Sequence, residues 1–223
     1  ALILGNQFYD CGDPKSSLNH AIYVGKLNKA IISHNSFYNS LGGYAISSTA
    51  KHSIVTSNII DSAYGGVDVD YYGDILLDGT AAITGNLFSD IKHTGIRLQH
   101  SNTSVGGNSF YRVNRDHSVG IYDNSAIRTY GGVANINIYN NVVEGEPVSN
   151  TASTLLTFDG NLQSKAVASN IMVHGNIVRG VTYGLVGIGY SDNKGISGVN
   201  GLVISDNSLT TLTNGHAMML LYD

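Results

Sequence analysis

The sequence predicts an all-β fold: a single-stranded right-handed parallel β-helix of about eight coils, with three parallel sheets and an asparagine ladder at one corner. Three registers predict it. An asparagine recurs at Asn6, Asn35, Asn58, Asn86, Asn108, Asn141, Asn176 and Asn207. Two residues after each stands a large apolar side chain: Phe8, Phe37, Ile60, Phe88, Phe110, Val143, Val178 and Leu209. Three residues before each stands Ile or Val: Ile3, Ile32, Val55, Ile83, Val105, Ile138, Val173 and Ile204. The asparagines lie 22 to 35 residues apart. The shortest interval fits one bare rung of three strands, and the excess elsewhere is inserted loop.

The barest rung is Gly95 to Phe110, GIRLQHSNTSVGGNSF. Ile96 to Gln99 alternates apolar and polar, Thr103 to Val105 is a second short run, Asn108 marks a corner and Phe110 begins a third strand. Such alternation is the two-residue period of a strand with one buried face. The asparagines read as structural, because buried corner amides need partners in the backbone and in the amide above. Phe37, Phe88 and Phe110 read as core stacking.

A further register pairs a small residue with an inward apolar one: Ala21-Ile22, Ala45-Ile46, Gly66-Val67, Gly95-Ile96, Gly120-Ile121, Gly184-Leu185 and Ala217-Met218, with Leu155-Leu156 in the sixth coil. The next side chains are then expected outside, as Tyr23, Ser47, Asp68, Arg97, Tyr122, Thr157, Val186 and Met219. A second outward row follows: Gly25, Thr49, Asp70, Gln99, Asn124, Asp159, Ile188 and Leu221. Rungs stack about 4.8 Å apart, so each row is a ladder of neighbours. Long segments before and after this strand would wall the sheet into a groove, and long loops on a rigid scaffold are where binding concentrates.

Composition narrows the class. The chain has 223 residues, 13% charged and 42% apolar, with net charge −4. That balance excludes a disordered chain and a basic nucleic-acid binder. No apolar run approaches the ~18 residues of a membrane span, so no membrane partner is expected. The single Cys11 allows no internal disulfide. One domain is expected over residues 1–223, as the middle of a longer chain, since both ends read as strand. Val186, Ile188, Met219 and Leu221 would form an outward apolar stripe, which suggests a covering loop or a subunit contact, with a homotrimer preferred.

Polar chemistry gathers in the central coils. Asp68 and Asp70 share a strand face about 6.6 Å apart, with Arg97, Gln99 and His100 one rung on. Paired carboxylates at such a separation can divide acid and base work on a glycosidic bond. Asp68, Asp70 and Arg97 are therefore the candidate catalytic residues. Arg97 beside Asp68 would bind a sugar acid or hold that carboxylate ionised. Gln99, His100, Tyr122, Asn124, Tyr71, Tyr72 and Asp159 are the candidate sugar contacts. The competing readings are a solvated surface ion pair and a Ca²⁺ site, for which two carboxylates fall short of six or more ligands. No cofactor is expected otherwise.

The asparagine-corner repeat resembles the pectate-lyase-like superfamily of right-handed parallel β-helices, over nearly the whole chain. The resemblance implies a polysaccharide substrate, acidic or from a cell surface, bound along one sheet, and an extracellular or virion-surface setting. Family catalytic motifs do not transfer: Asp13-Pro14 is followed by Lys15 rather than His, and Gly95-Ile96-Arg97-Leu98 only echoes an Arg-Ile-Lys. Low charge, abundant Tyr, Asn, Ser and Gly, and the apolar stripe look most like a phage tailspike or secreted depolymerase. The expected function is cleavage of glycosidic bonds, by hydrolysis or elimination. The alternative is a non-catalytic glycan-binding adhesin or tail-fibre shaft.

Overall fold

A computed structural model describes residues 1–16, 18–70, 77–114, 125–145, 154–159, 167–181, 184–188, 198–211 and 219–221. They form three sheets of eight strands each, every pairing parallel. The chain visits the sheets in turn, so each strand pairs with strands one coil away. Sheet A runs from Leu2–Leu4 through Lys29–Ser33, His52–Thr56, Thr80–Thr84, Thr103–Gly106, Ala134–Tyr139 and Ala168–His174 to Val199–Ser205. Sheet B runs from Gln7–Tyr9 through Ser36–Tyr38, Ile59–Asp61, Leu87–Ser89, Ser109–Tyr111, Val142–Glu144 and Ile177–Val181 to Ser208–Thr211. Sheet C runs from Ile22–Val24 through Tyr44–Ser48, Gly65–Val69, Ile96–Leu98, Ser125–Tyr130, Thr154–Asp159 and Gly184–Ile188 to Met219–Leu221. This is the predicted right-handed β-helix.

The asparagine ladder closes the corner between sheets A and B. Each backbone amide donates to the side-chain oxygen of the asparagine one coil on, from Asn6 to Asn207, at 2.9 to 3.0 Å. The side-chain amide of Asn35 also donates to Asn58 Oδ1 at 3.1 Å and to the carbonyls of Ile3 and Ser33. Backbone that leaves one sheet without yet joining the next is thereby satisfied. The residue before every ladder asparagine is left-handed: Gly5, His34, Ser57, Gly85, Gly107, Asn140, Gly175 and Asp206, with φ between 52 and 65°. Mostly small or polar side chains stand there, as that region favours. A second, shorter ladder lies at the entry to sheet A. Asn135 donates to Asn102 Oδ1 at 2.8 Å, and Asn170 to Asn135 Oδ1 at 3.1 Å, all three residues left-handed.

The core fills the bore of the helix. Phe88 and Phe110 stack with centroids 4.8 Å apart and planes 6° apart, as do Phe8 and Phe37. Their size explains the small residues of sheet C. A Cβ on Gly66 would stand 2.7 Å from the Phe88 ring and 2.1 Å from the Gly95 carbonyl, and one on Gly95 2.8 Å from the Phe110 ring and 2.9 Å from the Ala126 carbonyl, so the close backbone of the next rung excludes a side chain as well. Where the following strand of sheet B supplies Val143, Val178 and Leu209 instead, Ala126, Leu155 and Leu185 stand in the place of glycine, all fully buried.

That substitution corrects one expected register. Val186 pairs with Leu156, so it continues the inward row, and Met219 pairs with Val186 one coil on. Val186 is fully buried, and Ile188 packs against the core. Gly187, opposite Thr157, takes the place expected for Val186 in the outward row. The exposed stripe that suggested a trimer is thus absent at Val186 and Ile188. Two successive apolar residues at the bend both face inward, which defeats a strict two-residue alternation.

The fifth coil is corrected likewise. Ile127, not Ile121, pairs with Ile96, and Arg128 pairs with Arg97. The inserted segment therefore precedes this strand, and Gly131 and Gly132 turn the chain tightly into Ala134–Tyr139, with Gly132 at φ 89°. Gly120-Ile121 and Ala126-Ile127 carry the same small-then-apolar signal six residues apart. Periodicity alone cannot choose between them, and rung-to-rung pairing does.

Candidate functional site on sheet C

The site grows from the rungs Gly65–Val69 and Ile96–Leu98. Val67, Val69, Ile96 and Leu98 are fully buried, which turns Asp68 and Arg97 outward as directly opposed partners. Arg97 donates from Nε to Asp68 Oδ1 at 2.7 Å and from Nη2 to Asp68 Oδ2 at 2.6 Å. This two-pronged geometry is the strong form of a charge-assisted pair. The Asp68 side chain is only 3% exposed, whereas Asp70 is 18% exposed with Oδ2 3.6 Å from Arg97 Nη2. Both Asp68 oxygens are thus engaged, and Asp70 is the more open of the two.

Tyr44 roofs the pair. Its ring centre lies 4.9 Å from the Arg97 guanidinium carbon, within cation–π range. Tyr44 reaches across the intervening rung because its neighbour there is Gly65, where a Cβ would stand 2.7 Å from the ring. Burial of Arg97 pulls its pKa down, but the Asp68 charge and hydrogen bonds, with Tyr44 beside them, more than offset this and hold it above the ordinary value. Burial raises the Tyr44 phenol.

His20 extends the cluster toward the first coil. His20 Nδ1 meets the Tyr44 backbone, 3.0 Å from its amide and 3.3 Å from its carbonyl. His20 stacks on the half-exposed Tyr23, centroids 5.9 Å apart. Burial lowers its pKa, and the Asp68 charge only partly offsets this. On the other side, Arg128 follows Arg97 in the outward row and lies over Tyr130, 5.1 Å from the ring centre.

Sequence reasoning placed Asp68, Asp70 and Arg97 together, and they are together. Gln99 and His100 lie beside them but are buried: Gln99 is 6% exposed and His100 fully enclosed. Gln99 Oε1 and both His100 ring nitrogens make no hydrogen bond of good geometry. Burial lowers the His100 pKa, and the backbones of Thr80 and Asp70 only partly offset it. Tyr71, Tyr72, Tyr122 and Asn124 lie outside the described residues. The row positions expected for Tyr122 and Asn124 belong to Arg128 and Tyr130. Asp159 ends its strand opposite Tyr130, with its side chain outside the described residues. His20, Tyr44, Arg128 and Tyr130 were not anticipated. The doubled glycine Gly65-Gly66 was the available signal for Tyr44, since it leaves room on both faces of one strand.

Residues 1–161 match the family model described as periplasmic copper-binding protein (NosD). The chain belongs to the NosD family. No curated protein matches it in sequence. A parallel β-helix and a periplasmic setting fit that family, which replaces the expected virion surface with the cell envelope. Among the described residues of this NosD chain, the donor set does not fit the metal in the family's description. Copper favours imidazole and sulfur donors, and among the described residues no three His, Cys, Asp or Glu side chains gather to hold an ion. His20 Nδ1 is already engaged by the Tyr44 backbone, and Cys11 Sγ lies 3.4 Å from the Tyr9 carbonyl.

Proposed function

We propose that this NosD-family chain processes an acidic polysaccharide along the outer face of sheet C, by elimination. The observation that carries the reading is the unequal state of the two carboxylates. Inverting hydrolysis needs two carboxyl groups available for proton transfer, and Arg97 holds both oxygens of Asp68. Elimination needs one base and a group that neutralises the uronate carboxylate. Asp70, the more exposed carboxylate, takes the proton from the carbon beside that carboxylate; the electron pair left behind forms the new double bond, the glycosidic C–O bond breaks, and the departing oxygen takes a proton from water. Arg97, fixed by Asp68 and Tyr44, and Arg128, next along the row, stabilise the charge that develops. Tyr23, half-exposed, gives a sugar ring an apolar face.

A second reading, non-catalytic glycan binding, draws support from the same pair, because Asp68 and Arg97 neutralise each other and are largely closed. One experiment separates the two. The protein is incubated with polygalacturonate and alginate, and unsaturated ends are followed by ultraviolet absorbance. The elimination reading expects product from the wild type and a fall of at least about 100-fold in Asp70→Asn. Retained binding without product supports the second reading. Reducing ends without absorbance return the chemistry to hydrolysis.

A further inference from the structure

Sheet B carries a separate notch, one face away from Asp68 and Arg97. It has a volume of about 420 Å³ and is lined by Ser89, Tyr111, Arg112, Glu144 and Gly145. The register builds it: Ser89, Tyr111, Glu144 and Arg179 are opposed on four successive rungs. The residue after each faces the corner, and there Asp90 and Arg112 are followed by Gly145. The glycine bears no side chain, and the notch opens where the ladder of long corner side chains stops.

The groups around it are fixed in place. Arg112 pairs with Asp90, Arg179 Nη1 lies 3.6 Å from Glu144 Oε1, and Ser89 donates to Asp61 Oδ1 at 2.5 Å. Tyr111 is 38% exposed and forms a flat apolar wall. We infer that this notch is a second carbohydrate site, for a neutral pyranose. A ring face against Tyr111 suits the C–H face of a sugar, while the Glu144 carboxylate and the Arg112 guanidinium offer an acceptor and donors for adjacent hydroxyls. Among the described residues, the notch and its borders carry Asp61, Asp90 and Glu144 against Arg112 and Arg179, a balance that disfavours an anionic sugar. The assignment stands independently of the chemistry on sheet C.

The test is saturation-transfer NMR with methyl β-galactoside and methyl α-glucoside, with galacturonate as the anionic comparison. Wild type, Tyr111→Ala and Tyr23→Ala are compared, with circular dichroism confirming that each remains folded. Transfer to at least one neutral glycoside is expected, cut by half or more in Tyr111→Ala, kept in Tyr23→Ala, and weaker for galacturonate. Glu144→Gln, an exposed and nearly isosteric change, is expected to weaken the neutral glycoside about tenfold. No transfer from wild type to either glycoside, or transfer unchanged by Tyr111→Ala, overturns the proposal.

Discussion

Arg97 and Asp68 face each other across adjacent rungs and share two parallel hydrogen bonds, of 2.7 and 2.6 Å, beneath the ring of Tyr44. Neither is a solvated surface charge. Removing Asp68 leaves a largely enclosed guanidinium with only the longer contact to Asp70, at 3.6 Å. Asp68→Ala is expected to destabilise the fold by about 3 kcal/mol. The double change Asp68→Ala, Arg97→Ala should cost less than the two single changes added, because each single change strands a charge. Urea denaturation of the four chains measures the cycle.

The asparagine ladder gives a graded prediction. Asn108 Oδ1 accepts from the backbone and side chain of Asn86, and Asn108 Nδ2 donates to Ile83 and Asn141. Asn108→Ala strands several buried groups and is expected to cost about 3 kcal/mol. Asn6 is exposed at one end of the described ladder, and Asn6→Ala is expected to cost less than about 1 kcal/mol. Equal shifts in the thermal midpoint of the two variants would count against a burial-dependent ladder.

Packing at the bend is tight in one direction only. Gly95→Ala drives a methyl to within 2.8 Å of the Phe110 ring and 2.9 Å of the Ala126 carbonyl. The expected cost is about 2 kcal/mol. Phe110→Leu in the same chain should recover part of it, so that the pair is less than additive. Chemical denaturation decides it.

Stability should also fall in mild acid. Burial holds both His20 and His100 below the ordinary 6.5. In the unfolded chain they protonate first, so the unfolded state binds more protons as pH drops below 6.5. Their contribution is complete above that value and is lost as pH falls through the lower folded values. The thermal midpoint is expected to drop between pH 7 and pH 5, and to drop less in His20→Gln. A flat profile in the wild type would contradict this assignment.

On sheet C, Asp70→Asn is expected to abolish product without unfolding the chain, since Asp70 is partly exposed and lies at 3.6 Å from Arg97 rather than clasped by it. Matching denaturation curves with and without the change, together with the ultraviolet assay, check both halves of the statement.

The repeat of Asn, Phe or its equivalent, and Ile or Val, determined the helix, its three sheets and the inward rows of sheets A and B. Those signals are local: a corner amide and a two-residue alternation need only a few neighbouring residues to be legible. They also sufficed to put Asp68, Asp70 and Arg97 on one face. The tertiary structure alone decided which of two equivalent segments, Gly120-Ile121 or Ala126-Ile127, joins sheet C, because the choice is made by pairing with Ile96 one coil away. It alone set Val186 inside, because Val186 pairs with the buried Leu156 one coil away. And it alone showed that Asp68 is clasped while Asp70 is more open, since this depends on how a guanidinium from the next coil closes on a carboxylate 29 residues earlier.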